Sequence, residues 1–247
     1  MFLASINGIY GIGHIIYLIT TLILIIGGAI LIKKYVKNEK TINTIIKISA
    51  VVLLITIIIN RISITYTNVV VNQRDGYTWL NLIPDTYCGL ASIVLSLTII
   101  FGKKDHIILH FISYIGFFGG LITMFYPDFL NTQTFFDLRS ITGILHHTIM
   151  VWIIVITMLT RYIVPSIKKW CIFPIGLCII MTIGILEIDM LGFEKGMQIG
   201  EPLLASMPKL TAWYTVLFAE MVGHFIYLLL YEILVNKKTF KQVFQNK

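Results

Sequence analysis

Apolar residues run along this chain in seven long blocks, about 9–32, 44–62, 80–101, 107–126, 141–160, 171–190 and 211–235, separated by short polar segments. A hydrocarbon layer about 30 Å thick requires roughly 20 apolar residues in helical form, and each block is about that long. The pattern predicts an all-α, polytopic transmembrane bundle of about seven helices. No Lys or Arg precedes the first block and no small-residue cleavage motif follows it, so that block is expected to remain as a span. With no fixed-period repeat and no shift in composition, residues 1–247 read as a single integral membrane domain.

Composition sharpens this reading. Hydrophobic residues make up 57% of the chain and charged residues 13%, a balance that excludes an ordinary soluble domain. Seven spans leave no room for a separate catalytic domain, so any chemistry lies among the helices. Of the 19 Lys and Arg, fourteen fall in alternate segments: Lys33 to Lys47, Lys103 and Lys104, Arg161 to Lys169, and the tail through Lys247. The other side holds Arg61, Arg74, Arg139, Lys195 and Lys209. By the positive-inside rule this asymmetry places the N-terminus outside and the C-terminus in the cytoplasm. The Ile-rich texture with frequent Asn and Lys points to a bacterial plasma membrane. Nucleic acid is not indicated as a partner. Cys88, Cys171 and Cys178 all lie in apolar runs without Cys-x-x-Cys spacing, so neither a disulfide framework nor a metal site is expected, and no cofactor is called for.

An ionisable group at the centre of a spanning helix costs about 2.5–3.5 kcal/mol on insertion scales, which makes each one a functional candidate. Counting about 1.5 Å per residue from Leu80 puts Cys88 roughly 12 Å below the outer edge, with Asp85 a turn above it. His146, His147 and Glu220 fall at similar depth. Glu187, Asp189, His14 and Arg61 are also on the outer side, whereas the inner half holds only Lys47 and His110. The bundle is therefore expected to open a polar cavity toward the outer leaflet. Asp85, Cys88 and Ser92 are spaced to share one helical face, and Gly116 and Gly120 form a Gly-x-x-x-Gly step for close helix approach.

Each candidate also has a plain reading. A lone intramembrane Cys is commonly a small hydrophobe. Adjacent helical positions diverge by about 100°, so one of His146 and His147 is expected to face Cys88. Arg61 either anchors a span end, pairs with a nearby carboxylate, or grips a lipid phosphate, which its planar fork suits.

Pro84-Asp85-Thr86-Tyr87-Cys88-Gly89, Gly119-Gly120 followed by Tyr126-Pro127-Asp128, and His146-His147 resemble the YwaF family of bacterial multi-pass membrane proteins over about residues 80–235. That family is distantly similar to eukaryotic membrane lipid acyltransferases that use a Cys and a His. The resemblance implies Cys88 as nucleophile, His146 or His147 as base, and a membrane phospholipid as substrate. Two stretches depart from the family pattern: Asp85-Thr86-Tyr87 between the Pro and the Cys, and Gly200-Glu201-Pro202-Leu203 before the last span.

Three functional classes follow. In the first, acyl transfer or ester hydrolysis, an imidazole takes the thiol proton, the thiolate attacks an ester, and Asp85 or Glu220 orients the imidazole. Arg61 belongs to the same site as a binding or orienting group. In the second, a transporter, Glu220, His224 and Asp85 serve as proton or ion ligands, although no inverted repeat is evident. The third is a non-catalytic assembly protein in which Cys88 is dispensable. A retinal-type receptor is excluded because Thr211 to Val235 contains no Lys for a Schiff base. The oligomeric state is left open by the sequence.

Overall fold

Helices in this chain begin and end where polar and conformationally special residues interrupt the apolar blocks. The computed structural model describes residues 8–131, 135–202 and 207–244; Leu203 and Lys247 fall outside these ranges. The helices are α1 (Ile12–Tyr35), α2 (Glu39–Tyr66), α3 (Tyr87–Phe101), α4 (Leu109–Phe125), α5 (Leu138–Leu159), α6 (Ile172–Leu191), α7 (Trp213–Leu230) and the short α8 (Phe240–Phe244). Among the described residues there is no strand. Asn38 caps α2 by accepting from the Lys40 amide at 2.9 Å. Gly192, at φ +68°, closes α6 with its amide bonded to the Glu187 carbonyl, in the left-handed conformation that glycine adopts without a Cβ penalty.

Among the described residues six helices are long and apolar enough to cross a membrane, and α3 is apolar but shorter. The block at 80–101 predicted a span starting near Leu80; the helix instead starts at Tyr87. Pro84 disfavours helical geometry at the residue before it, and Thr86 caps α3 through the Gly89 amide. Upstream, Trp79–Leu82 forms a 3-10 turn held by a reciprocal Thr78–Asn81 capping box. Asp85 therefore precedes the helix and does not share a helical face with Cys88 and Ser92, as the spacing had implied. Conversely, α2 extends beyond the expected 44–62 at both ends and runs on into a π turn at Thr67–Val71.

Inside a membrane the lipid is as apolar as leucine, so helices cohere through close van der Waals packing and polar bonds rather than through exclusion of water. The packing centre is the group α2, α3, α4 and α5; α6 lies on α4, α1 on α5, and α7 touches α6 and α4. Glycines on α4 set the separations. A Cβ at Gly116 would lie 2.9 Å from Met150 Sδ, and one at Gly120 would lie 2.7 Å from Val151 Cγ2, both on α5. One at Gly119 would meet Cys88 Sγ at 2.5 Å and Tyr87 Cε2 at 2.7 Å on α3.

The segments expected to be cytoplasmic meet at one end of the bundle. Lys104 pairs with Glu39 at 2.8 Å. Asp105 Oδ2 accepts from Lys169 Nζ at 2.6 Å, while its Oδ1 accepts from the Val164 amide at 2.9 Å and lies 2.8 Å from His110 Nε2. Glu232, in the π turn after α7, accepts from Ser166 Oγ at 3.1 Å and from Lys238 at 2.8 Å. Partial burial resists ionisation of Asp105, yet Lys169, the Val164 amide and His110 outweigh it and hold the carboxyl below its ordinary value.

Candidate functional site

At the opposite end a polar cavity of about 230 Å³ opens between α2, the segment before α3, and α5. Its floor is built by residues that tie these elements together. Arg61 on α2 is buried; its guanidinium donates to Asp85 Oδ1 at 3.0 Å, to the Ile83 carbonyl at 2.8 Å and to the Asn81 carbonyl. Of the readings open for Arg61, the carboxylate partner is the one realised. The neighbouring Asn60 donates to the Arg139 carbonyl at 3.1 Å and to Thr142 Oγ1 at 3.0 Å, fastening α2 to α5. The Met197 amide bonds to the Asp85 carbonyl at 2.8 Å, bringing the segment after α6 alongside, and Lys195 from that segment lines the cavity.

Both imidazoles line this cavity. Although His146 and His147 are adjacent on α5, each ring folds back over the preceding turn, and the ring centroids are 3.9 Å apart. His146 Nδ1 lies 3.0 Å from the Thr142 carbonyl and His147 Nδ1 lies 2.6 Å from the Gly143 carbonyl. A carbonyl can only accept, so each Nδ1 carries a hydrogen and each Nε2 of a neutral ring keeps its lone pair. The orienting group expected from a carboxylate is thus supplied by backbone: Asp85 is engaged by Arg61, and neither Asp85 nor Glu220 bonds to an imidazole.

Cys88 is the second residue of α3 and is buried. Its sulfur packs against Gly119 on α4. Thr86 and Gly89, its flanking turn, line the polar cavity, whereas Tyr87 lines a smaller apolar cavity of about 40 Å³ together with Glu220 and Trp213. Cys88 itself is in the lining of neither of these two cavities. Gly119 and Gly120 are where three helices converge: Gly119 abuts Cys88, and the His147 carbonyl lies 3.4 Å from the position of a Gly120 Cβ.

Glu220 on α7 is buried, and its Oε1 has no hydrogen-bond partner among the described residues. It lies on the Tyr87 side of Cys88, away from the imidazoles. His224, one turn on, is stacked on Phe173 with ring centroids 4.4 Å apart and meets Tyr114 edge-on at 4.2 Å in the core. His14 is likewise satisfied, with Nε2 2.9 Å from the Met124 carbonyl and Nδ1 accepting from the Tyr10 amide. Asp85, Glu220 and His224 therefore share no single cavity. Among the described residues no group of three His, Cys, Asp or Glu side chains is arranged to hold a metal.

Sequence reasoning did not single out Asn60, Tyr77, Arg139 or Lys195 for this site. Asn60 had a signal, as a polar neighbour of Arg61 in the apolar run Ile57-Ile58-Ile59-Asn60-Arg61. Tyr77 and Lys195 had none, because they belong to connecting segments that reach the cavity only through folding.

The fold and site define a polytopic helical membrane protein with paired imidazoles in a polar cavity at one end of its bundle. A family model described as the TMEM164 family matches residues 9–231, and the chain belongs to that family. No curated protein and no solved structure matches the chain.

Proposed function

We propose that this protein moves an acyl group from a membrane phospholipid through Cys88, in a bacterial plasma membrane, with the polar cavity on the outer side. The observation that carries the reading is the convergence of α3, α4 and α5 at Gly119 and Gly120. It sets a buried thiol on one side of a two-residue step and an imidazole-bearing turn on the other. The motif resemblance at Cys88 and the His pair supports the same assignment.

The chemistry balances with the residues present. An imidazole Nε2 takes the Cys88 proton, and the thiolate attacks the carbonyl carbon of an acyl ester. The carbon–oxygen ester bond breaks, the departing alkoxide receives the proton from the imidazolium, and a thioester remains. An acceptor hydroxyl or water then attacks the thioester, its proton passing to the imidazole, and the thiol is regenerated. His146 and His147 share the role of candidate base, with Nδ1 fixed by backbone and Nε2 free. Arg61 positions the segment before α3 through Asp85 and two carbonyls. Glu220 faces the apolar side of Cys88, where it orients the acyl end of the substrate.

Purified protein incubated with acyl-labelled phospholipid is expected to acquire hydroxylamine-sensitive label, lost in Cys88→Ala and strongly reduced in one of His146→Ala and His147→Ala. Absence of label from every lipid class, together with solute uptake into proteoliposomes driven by an ion gradient, replaces this reading with the transporter.

A further inference from the structure

The basic end of the bundle holds a further cavity, of about 390 Å³, far from the imidazoles. It is lined by Lys40, Asn43, Thr44 and Lys47 of α2, Lys104 and Gly102 after α3, and Tyr162 after α5. Three lysines face this space, and among the described residues the one carboxylate paired with any of them is Glu39, which is bound to Lys104 at 2.8 Å. Lys40 and Lys47 have no ion-pair partner among the described residues, and the nearby Asp105 is committed to Lys169, His110 and the Val164 amide. The side-chain amide of Asn43 and the hydroxyl of Tyr162 make no hydrogen bond among the described residues. Lys40 sits in the first turn of α2, where unpaired backbone amides add partial positive charge.

Lysine enrichment on the cytoplasmic face is general in membrane proteins, and by itself it defines no site. Here the excess charge is gathered in a concavity made by three separate elements, with neutral donors beside the ammonium groups. That combination fits a phosphate, which takes several donors at once. Depth indicates which phosphate. Lys47 lies seven residues beyond Lys40 on α2, about 10 Å along the axis. Beyond it, Ile48, Val51, Ile55, Ile58 and Ile62 continue an exposed apolar stripe down the same helix. A ligand whose phosphate sits among the lysines thus has hydrocarbon directly beneath it.

We propose that this cavity is a binding site for an anionic phospholipid of the leaflet opposite the polar cavity, its phosphate held by Lys40, Lys47 and Lys104. It is separate from the site of acyl transfer and stands or falls independently of it.

The test uses full-length protein in phosphatidylcholine nanodiscs containing trace fluorescent phosphatidylglycerol or fluorescent phosphatidylcholine, read by energy transfer from the tryptophans. Wild type is expected to enrich phosphatidylglycerol over phosphatidylcholine. Each of Lys40→Gln, Lys47→Gln and Lys104→Gln lowers the preference about fivefold, the factor that corresponds to ~1 kcal/mol per surface lysine. Glu39→Gln, which frees Lys104, raises it. The control Arg161→Gln with Lys168→Gln, which removes two charges from the same end but outside the cavity, leaves it unchanged. Equal loss in that control, or a preference that survives in the triple lysine variant, overturns the proposal. Tight binding of inorganic pyrophosphate without phosphatidylglycerol enrichment keeps a phosphate site but overturns the lipid as its occupant. Circular dichroism of each variant separates loss of binding from loss of fold.

Discussion

The two ends of this bundle treat charge in opposite ways. At the basic end, Asp105 and Glu232 are each saturated by donors from several segments, so ion pairs stitch the loops together. At the other end, the tight pair of Arg61 with Asp85 closes the floor of a cavity whose wall carries the two imidazoles, each held through Nδ1 alone. Saturated polar groups brace a structure, whereas groups held with spare donors or lone pairs are available to a ligand. The difference marks the cavity end as the place for chemistry and most of the basic end as scaffold.

The comparison is broken most severely by removing Arg61. Its side chain is 10% exposed and that of Asp85 16% exposed, so Arg61→Ala leaves a largely buried carboxylate and two carbonyls without their donor. Losing one partner of a buried pair costs about 3–5 kcal/mol, and the thermal midpoint in detergent is expected to fall sharply while the basic end keeps its slow amide exchange. Gly119→Ala comes next. The added methyl meets Cys88 Sγ and Tyr87 at the separations given above, and overpacking of this kind costs about 1–3 kcal/mol. It is expected to lower thioester labelling more than Gly116→Ala, which crowds flexible Met150.

Asp105→Asn tests the bracing. It keeps the size but removes the charge that Lys169 and His110 share, and it is expected to speed proteolysis of the segments at 102–108 and 160–171 without affecting labelling of Cys88. The same group gives a pH dependence. Because its folded value lies below the unfolded carboxylate value of about 3.9, its stabilisation is complete above that pH and fades as pH falls through the lower folded value. A stability profile between about pH 5 and 3 should therefore decline more steeply in wild type than in Asp105→Asn. The smallest effect is expected for Glu39→Gln. That pair is exposed, pairs of this kind contribute little, and the thermal midpoint should stay within error even as lipid preference changes.

Much of the scaffold was legible in the sequence. Long apolar blocks have few alternatives in a bilayer, because every backbone amide and carbonyl must be satisfied within the segment, and the alternation of basic segments fixed which connections share an end. The polar layer of Arg61, Asp85, His146 and His147 was legible for the same reason, since ionisable groups are rare in spans and gather where they can be satisfied. Hydropathy could not place the first turn of α3, because residues 80–86 are apolar enough to continue a span while Pro84 and the Thr86 cap prevent it. Nor could it show that the Cys88 sulfur packs against Gly119, a residue of a different helix.

The sequence by itself determined that this chain is a helical membrane bundle, where its spans lie, and which side chains are too costly in lipid to be incidental. Only the tertiary structure decided that Asp85 is held by Arg61, that backbone carbonyls rather than carboxylates orient the two imidazoles, and that three lysines enclose a cavity at the far end. The reason is physical: transfer into hydrocarbon is a property of each segment and is written in its composition, whereas a hydrogen bond or ion pair depends on groups brought within about 3 Å of each other by the packing of separate helices.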